Sequence, residues 1–289
     1  MRRQSLLVAT HNILDGLYLP NLLQAYRRLH AVEPVSALCI QEAVPNAARR
    51  VAAALGRHFT VGEHAGAPRL AIVYDRTQLR LRRLDVIGLP RLTAVPLWQR
   101  IYTSACPEPK QALVAHFSLP WPRRQRQPPR HVTLANFHLD AAGDNSHRGA
   151  QLRALSTALP AGGGGRLVAC GDANVFTLRR AEAEPALSRL LEPLRLRHGA
   201  KDAHVTSPED THFFARAHEP KLGQRIAVAL GQLGIDAPRR YDVVAATMRC
   251  IRSGTLDTPA SDHNLVWARL AMHCRDRDGS GRWGSRVLG

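Results

Sequence analysis

The sequence predicts an α/β fold, because short apolar strands alternate with helical segments and polar side chains follow the strands. Strands at residues 6–9 and 37–40 are each followed by apolar residues at helical spacing, at 21–30 and 47–55. The chain has 289 residues, 45% of them hydrophobic and 22% charged, which is a globular composition and excludes wholesale disorder. Large α/β folds of this length form one unit.

The later segments continue the alternation of strands and helices. Gly56 is a plausible stop signal for the second helix. Residues 193–233 have no clear period and are expected to contain a lid or an insertion. The other predicted elements, in chain order, are several strands within 59–89, strands at 112–119 and 132–139, a helix from about 147 to the glycines at 162–165, a strand at 167–170, a helix at 181–191, and strands at 241–246 and 265–272.

Two segments have a composition unsuited to a packed core. Residues 120–130 contain four prolines and four arginines, which predicts an exposed connection. This connection is either a solvated loop or a contact for a phosphate backbone, with Trp121 available for stacking. Residues 273–289 are polar and glycine-rich and predict a frayed tail, so that the domain is expected to span residues 1–272.

The charge balance is strongly basic. Forty basic residues stand against 23 acidic ones, for a net charge of +17, and three of the basic residues are lysines, so that 37 are arginines. Such an excess favours an anionic partner such as nucleic acid, through counterion release and electrostatic steering. Because the arginines are scattered rather than clustered, an arginine-rich codon habit explains the same count. Charge alone leaves both explanations open.

Cysteine usage and the N-terminal segment bear on the compartment. The five cysteines are odd in number and far apart, without the spacing of a zinc site or a disulfide framework, which predicts reduced thiols. The apolar stretch at residues 6–9 is too short for a signal peptide, and no window approaches 18 apolar residues. We therefore expect a cytoplasmic protein without a membrane span, and a monomer; the sequence names no protein partner.

Polar residues that follow apolar strands are the most informative feature of the sequence. Functional groups at the ends of strands are the usual way in which an α/β scaffold builds a site. Each of these residues alone is weak support, since a single histidine at a strand end is more often structural. The set comprises Asn12, Gln41, Glu42, Asn136, His138, Asp172, Asn174, Asp242, Asp262 and His263.

Six stretches that contain these residues resemble, in order, the signature motifs of the endonuclease/exonuclease/phosphatase superfamily, which has the DNase I-like fold. The resemblance runs from residue 5 to about residue 271. It implies a four-layer α-β-β-α sandwich, with two mixed sheets packed face to face and helices outside, and metal-assisted hydrolysis of a phosphate ester. The stretches are THNIL at 10–14, IQE at 40–42, NFHLD at 136–140, GDAN at 171–174, YDVV at 241–244 and SDH at 261–263.

The resemblance assigns a role to each acidic and amide residue of the motifs. Glu42, Asp262 and Asn12 offer hard oxygen ligands, which suit Mg²⁺ or Mn²⁺. Asp172 is similar to the residue that orients the attacking water as general base. Asn174 is placed to donate its amide to a phosphate oxygen and so to stabilise charge in the transition state.

The resemblance also implies roles for the histidines and for one arginine. Asp242 is expected to accept a hydrogen bond from His263 and so to favour the imidazolium. His138 is expected to flank the phosphate together with His263 as a second donor. Arg148 is expected either to tie its helix to the site loops, together with Gln151, or to contact phosphate. Four other histidines have no motif support and are interpreted as exposed or satisfied: His11, His204, His212 and His218.

These observations lead to three functional hypotheses. The first is a metal-dependent phosphodiesterase that acts on DNA or RNA, with the arginine excess as the deciding argument. The second is an intracellular phosphatase or phosphodiesterase for a phospholipid head group or a small phosphate ester, because the Asn-Ile-Leu form of the first motif is closer to those branches. The third is a nucleic-acid-binding protein that has lost turnover. The enzymatic hypotheses require Glu42, Asp172 and His263 to converge in one cleft.

Overall fold

A computed structural model of the chain describes residues 5–93, 109–120, 131–160, 165–175, 177, 180–203, 211 and 241–272. The first of its two six-stranded sheets is built mostly from the N-terminal half of the chain and is closed by two strands from the C-terminal part. The order of its strands in space is β11 (Cys250–Leu256), β12 (Leu265–Ala271), β1 (Ser5–Asn12), β2 (Ala37–Gln41), β4 (Leu70–Asp75) and β3 (Phe59–Glu63).

The second sheet repeats the strand directions of the first. In each sheet one central pair is parallel, β1–β2 in the first and β7–β8 in the second, and all other pairs are antiparallel. The order in space is β5 (Arg80–Gly88), β6 (Gln111–Ser118), β7 (His131–His138), β8 (Arg166–Asp172), β10 (Asp242–Ala246) and β9 (Lys201–Asp202).

Helices cover the outer face of each sheet. Helices α1 (Leu19–Val32) and α2 (Ala47–Leu55) pack on the first sheet, and α3 (Asn145–Ala158), α4 (Ala183–Leu190) and α5 (Glu192–His198) pack on the second. Helices α1 and α3 each connect the two strands of a parallel pair, which is the crossover that parallel pairing requires. None of these helices, nor any other in the described ranges, is long and apolar enough to cross a membrane.

The central core lies between the two sheets. On β8, Val168 and Cys170 point into this core, whereas Leu167 and Ala169 pack against the helices on the other side. Because both faces are buried, the strand is a continuous apolar run rather than an alternating one. The four-layer sandwich of two mixed sheets with outer helices, which the motifs implied, is therefore confirmed.

Most of the predicted elements are present with small shifts of their ends. Helix α2 spans the predicted residues 47–55, and the region 59–89 divides into β3, β4 and β5. The predicted helix 181–191 is a 3-10 turn followed by α4, and α5 lies in the segment that showed no period. Strand β11 was not predicted. The predictions for residues 121–130, 162–164, 204–210, 212–233 and 273–289 lie outside the described residues.

A buried polar bridge joins the two sheets near the ends of their central strands. On β7, Asn136 donates through Nδ2 to the carbonyl oxygens of Ile40 and Ala71, each at 2.9 Å. Its Oδ1 accepts a hydrogen bond of 2.6 Å from Nε2 of Gln41. All four residues are buried. Because an unpaired polar group is costly there, this bridge restricts how the sheets slide past each other.

Gly171 permits a close approach of two strands directly before the motif aspartate. Its φ is +152°, and a Cβ atom at this position would lie 1.8 Å from the carbonyl oxygen of Phe137 on the adjacent strand β7. Only a residue without a side chain fits at that distance. The glycine therefore allows β8 to remain paired up to Asp172.

We expect the Gly171→Ala substitution to lower the free energy of unfolding by about 3 kcal/mol or more, through the clash and the unfavourable φ together. Gly56→Ala is the matched control, because Gly56 also has a positive φ, +129°, but open space around its Cα. Urea denaturation measures both variants. Equal losses of stability would show that backbone conformation alone, and not the contact with Phe137, requires the glycine.

Candidate active site

The polar residues at the ends of the central strands lie together at one end of the sandwich. Asn12 is the last residue of β1 in the first sheet, and its Nδ2 donates to Glu42 Oε1 at 3.3 Å and to Asp172 Oδ2 at 3.1 Å. Asp172 ends β8 in the second sheet, so that this contact joins the two sheets. Nε2 of His263 is 3.6 Å from the same oxygen of Asp172. The convergence that the hypothesis requires is present.

Asp172 is at the centre of the cluster and is 1% exposed. Its Oδ2 lies 3.6 Å from Nε2 of His138 and 3.6 Å from Nε2 of His263. Its Oδ1 accepts a hydrogen bond of 2.8 Å from the backbone N–H of Asn174. The carboxylate is thus oriented by the turn that follows it and is flanked by two imidazoles.

His263 is held as a cation by the carboxylates around it. Its Nδ1 lies 2.7 Å from Oδ2 of Asp242. Burial lowers the pKa of His263, but the negative charges of Asp242, Asp172 and Asp262 outweigh this effect and hold the pKa well above the usual value. The ring therefore donates a hydrogen bond to Asp242 through Nδ1 and presents a second N–H toward Asp172.

His138 has the opposite electrostatic environment, although it also lies beside Asp172. Burial, and next the positive charge of Lys110, lower the pKa of His138 to about 3. Its Nε2 lies 3.9 Å from Oε1 of Glu42. The two imidazoles beside Asp172 therefore differ in charge: His263 is protonated and His138 is neutral.

Glu42 lies in the part of the site where negative charge accumulates. It has a left-handed φ of +54°, which turns its side chain toward Asn12 directly after β2. Burial and the negative charges of Asp262 and Asp15 raise its pKa to about 7, although Arg69 and Asn12 act in the opposite direction. Carboxylates that are buried close to one another are stabilised by a bound cation.

The oxygen-rich donor set therefore fits a hard divalent cation. Glu42 and Asp262 offer carboxylates to such an ion, and their role as its ligands stays a prediction. Asn12 presents its NH₂ group to the carboxylates, and its Oδ1 accepts from the N–H of Leu14 at 3.1 Å. In this arrangement Asn12 acts as a donor, and its ligation through Oδ1 stays a prediction.

A second group of side chains has metal-ligand spacing. Ligand atoms of Asp172, Asp242 and His263 lie within 4.8 Å of one another. In this group Nδ1 of His263 already donates a hydrogen bond to Asp242, so that this nitrogen is not open to a metal ion. A cation on the side of the site that carries Glu42 stays a prediction.

Asn174 and Arg148 both contact the backbone that follows β7. Asn174 has a φ of +46° and donates through Nδ2 to the carbonyl oxygen of Leu139 at 3.0 Å. Arg148 is 1% exposed and donates to the carbonyl oxygens of Asp140 and Ala141, each at 2.8 Å. These contacts favour the first of the two roles expected for Arg148, which is to tie its helix to the site loops, over a contact with phosphate. Gln151 strengthens the same loop through Asp140.

Two residues that the sequence did not assign to the site hold the turn that carries His263. His11 is buried, its Nδ1 lies 2.7 Å from the hydroxyl of Tyr26, and its Nε2 lies 3.0 Å from the carbonyl oxygen of His263. Ser261 donates to the carbonyl oxygen of Asn12 at 2.8 Å and accepts from the N–H of His263 at 3.1 Å. Burial lowers the pKa of His11 to about 4, so that it is a satisfied neutral histidine, as interpreted.

The residues that the sequence analysis did not assign to the site differ in whether a motif could have indicated them. Ser261 is the first residue of the last motif, SDH at 261–263, so that its position in the sequence could have indicated a place in the site. Arg69 and Asp15 form an ion pair beside Glu42, and neither follows a strand in a motif position. His204, His212 and His218 lie outside the described residues.

The chain was compared with known proteins by sequence and by structure. No protein-family model and no curated protein matches the sequence. Among solved structures, an endonuclease/exonuclease/phosphatase from Bacteroides vulgatus aligns with a TM-score of 0.63 at 17% identity, over 94% of this chain and 100% of that one. D. rerio TDP2 complexed with single-strand DNA product aligns with a TM-score of 0.59 at 12% identity, over 92% and 98%.

A third solved structure, the endonuclease/exonuclease/phosphatase from Beutenbergia cavernae DSM 12333, has a TM-score of 0.58 at 18% identity, over 93% of this chain and 72% of that one. The likeness covers 92% to 94% of this chain in these three cases. The chain therefore has the fold of the endonuclease/exonuclease/phosphatase proteins.

Proposed function

We propose that the protein is a divalent-metal-dependent phosphodiesterase that acts on nucleic acid. The observation that carries the proposal is the position of Asp172 between a protonated and a neutral imidazole, beside the acidic cluster around Glu42. A carboxylate flanked by proton donors and next to hard oxygen ligands is the arrangement that metal-assisted hydrolysis uses.

Asp172 supplies the base in this mechanism. Its Oδ2 accepts a proton from water, and the resulting hydroxide attacks phosphorus as the bond to the leaving oxygen breaks. The N–H of Asn174 holds Oδ1, so that the base keeps its orientation. Glu42 and Asp262 would hold the divalent cation, which when bound would supply charge neutralisation for the phosphate.

His263 completes the proton transfers, and His138 lies beside it. The imidazolium of His263 donates through Nε2 to a phosphate oxygen or to the leaving oxygen, while Asp242 holds its Nδ1. His138 contacts the same region without adding a second positive charge, because it is neutral. A pair with unequal charge avoids repulsion between two buried imidazolium rings.

Two observations support nucleic acid as the proposed substrate: the net charge of the chain and a solved structure with the same fold. The net charge of +17 favours a polyanion over a small ester. D. rerio TDP2, which shares the fold, is solved with a single-strand DNA product. A cytoplasmic location, a monomeric state and the choice of Mg²⁺ or Mn²⁺ stay predictions, as does the alternative substrate, a phospholipid head group or small phosphate ester.

We expect hydrolysis of plasmid or oligonucleotide in a panel that also contains inositol phosphates and sphingomyelin, with Mg²⁺ or Mn²⁺ present. EDTA should abolish the activity reversibly. Asp172→Asn should keep the fold and lower turnover by about a hundredfold or more, because the variant lacks the base. Turnover confined to a small ester would transfer the proposal to the alternative substrate class, and unchanged turnover of Asp172→Asn would remove this residue from the mechanism.

Metal binding should depend on pH through Glu42. Because the pKa of this carboxyl is raised to about 7, a cation must displace its proton below pH 7, and affinity should fall by about tenfold for each pH unit there. Titration calorimetry with Mg²⁺ at pH 6 and pH 8 measures the difference. Glu42→Gln should weaken binding by about tenfold or more and remove the dependence; binding that is equal at both pH values would contradict the assignment.

The alkaline side of the pH–rate profile should report on His263. Its raised pKa keeps the donor protonated at neutral pH, so that turnover declines as pH rises through that pKa. Asp242→Asn should shift this decline by about one pH unit or more toward lower pH. The control is Asp85→Asn, which removes a carboxylate 2.9 Å from Nε2 of His116 outside the site. Identical profiles for both variants would exclude His263 as the donor.

A further inference from the structure

Arg69 lies beside the site and has no role in the mechanism above. Its Nη2 forms an ion pair with Oδ1 of Asp15 and lies 3.7 Å from Oε2 of Glu42. The carbonyl oxygen of Arg69 accepts a hydrogen bond of 3.0 Å from the N–H of Ala43, so that its backbone is fixed next to Glu42. The side chain is 49% exposed. Arg69 is therefore anchored at the site but open to solvent.

The partner of Arg69 lies on a strained turn. Leu14, Asp15 and Gly16 have successive φ values of +47°, +53° and +66°, which is unfavourable for the two residues with side chains. Asn12 and Gln41 hold this turn, through the bonds from Leu14 N to Asn12 Oδ1 and from Ile13 N to Gln41 O. Strained backbone persists where surrounding contacts impose it, most often at functional sites.

The turn gives Arg69 two acidic neighbours at the entrance of the site. The planar guanidinium binds carboxylates and phosphates through the same pairs of N–H groups, so that a phosphate competes directly with these carboxylates.

We propose that Arg69 binds a backbone phosphate of the nucleic-acid strand at the entrance of the site, and that Asp15 holds the guanidinium in place when no strand is bound. This inference rests on the proposed function. It adds a substrate-binding residue that neither the motifs nor the strand ends indicate.

Two adjoining cavities lie next to Arg69 in the surface and offer a path for the strand, although Arg69 itself lines neither of them. The first, of about 310 Å³, is lined by Ala43 and by Pro68 and Leu70, the neighbours of Arg69 in sequence. Arg49 lines both this cavity and the second one, of about 820 Å³, which also contains Arg57. The path is thus bordered by Arg49 and Arg57, which suit a phosphate backbone, and also by Glu63, which lines both cavities and lies 3.6 Å from Arg49.

The test measures binding of a single-stranded oligonucleotide to the Asp172→Asn protein, by fluorescence anisotropy, across a range of NaCl concentrations at one fixed Mg²⁺ concentration. We expect Arg69→Ala to weaken binding and to reduce the slope of log K against log [NaCl] by about 0.7, the value for one phosphate contact on a single strand. Arg69→Lys keeps the charge and should restore the slope. Thermal unfolding of both variants verifies the fold.

Arg195→Ala is the matched control, because Arg195 is also an exposed, ion-paired arginine but lies on helix α5 on the opposite outer layer. This variant should leave the slope unchanged. If the Asp172→Asn protein binds the oligonucleotide and Arg69→Ala has the same slope as its parent, the inference is wrong and the proposed function stands. If the parent shows no salt-dependent binding, the nucleic-acid assignment is wrong and the inference falls with it.

Discussion

The hydrogen bond between Asn12 and Asp172 is the contact on which the arrangement of the site depends. Each sheet has one parallel pair at its centre, and parallel strands end at the same edge. The bond joins the end of β1 in one sheet to the end of β8 in the other, at 3.1 Å. The bridge from Asn136 to the first sheet restrains the same region from behind. Side chains that are far apart in the chain therefore meet with little freedom.

Burial then gives chemically equal side chains different properties. His11 and His263 are buried and the side chain of His138 is 12% exposed, yet the pKa is lowered to about 4 in His11, lowered to about 3 in His138 and raised in His263. Only His263 lies in contact with a carboxylate that is aimed at its Nδ1, and this contact outweighs the cost of burial. The site thus separates a cationic donor from a neutral neighbour over a few ångströms, with Asp172 between them.

The fold was predictable where burial leaves a local signal. Strands β1, β2 and β8 are buried on both faces and therefore appear as short apolar runs, and α2 has its apolar residues on one side. Strand β11 has no such signal, because Cys250–Leu256 is an edge strand with mostly part-exposed residues that is held by pairing with β12. Helix α5 is short, and its only fully buried side chain is Leu194.

The sequence by itself determined which functional groups the site contains, because Glu42, Asp172, Asp242 and His263 occupy motif positions next to apolar strands. Only the tertiary structure decided how these groups are charged and which other residues join them. Arg69 and Asp15 are 54 positions apart, and Arg148 has the residue type of a phosphate ligand but donates to backbone carbonyl groups. Charge state and partner choice depend on distances between residues remote in sequence, and no local pattern records those distances.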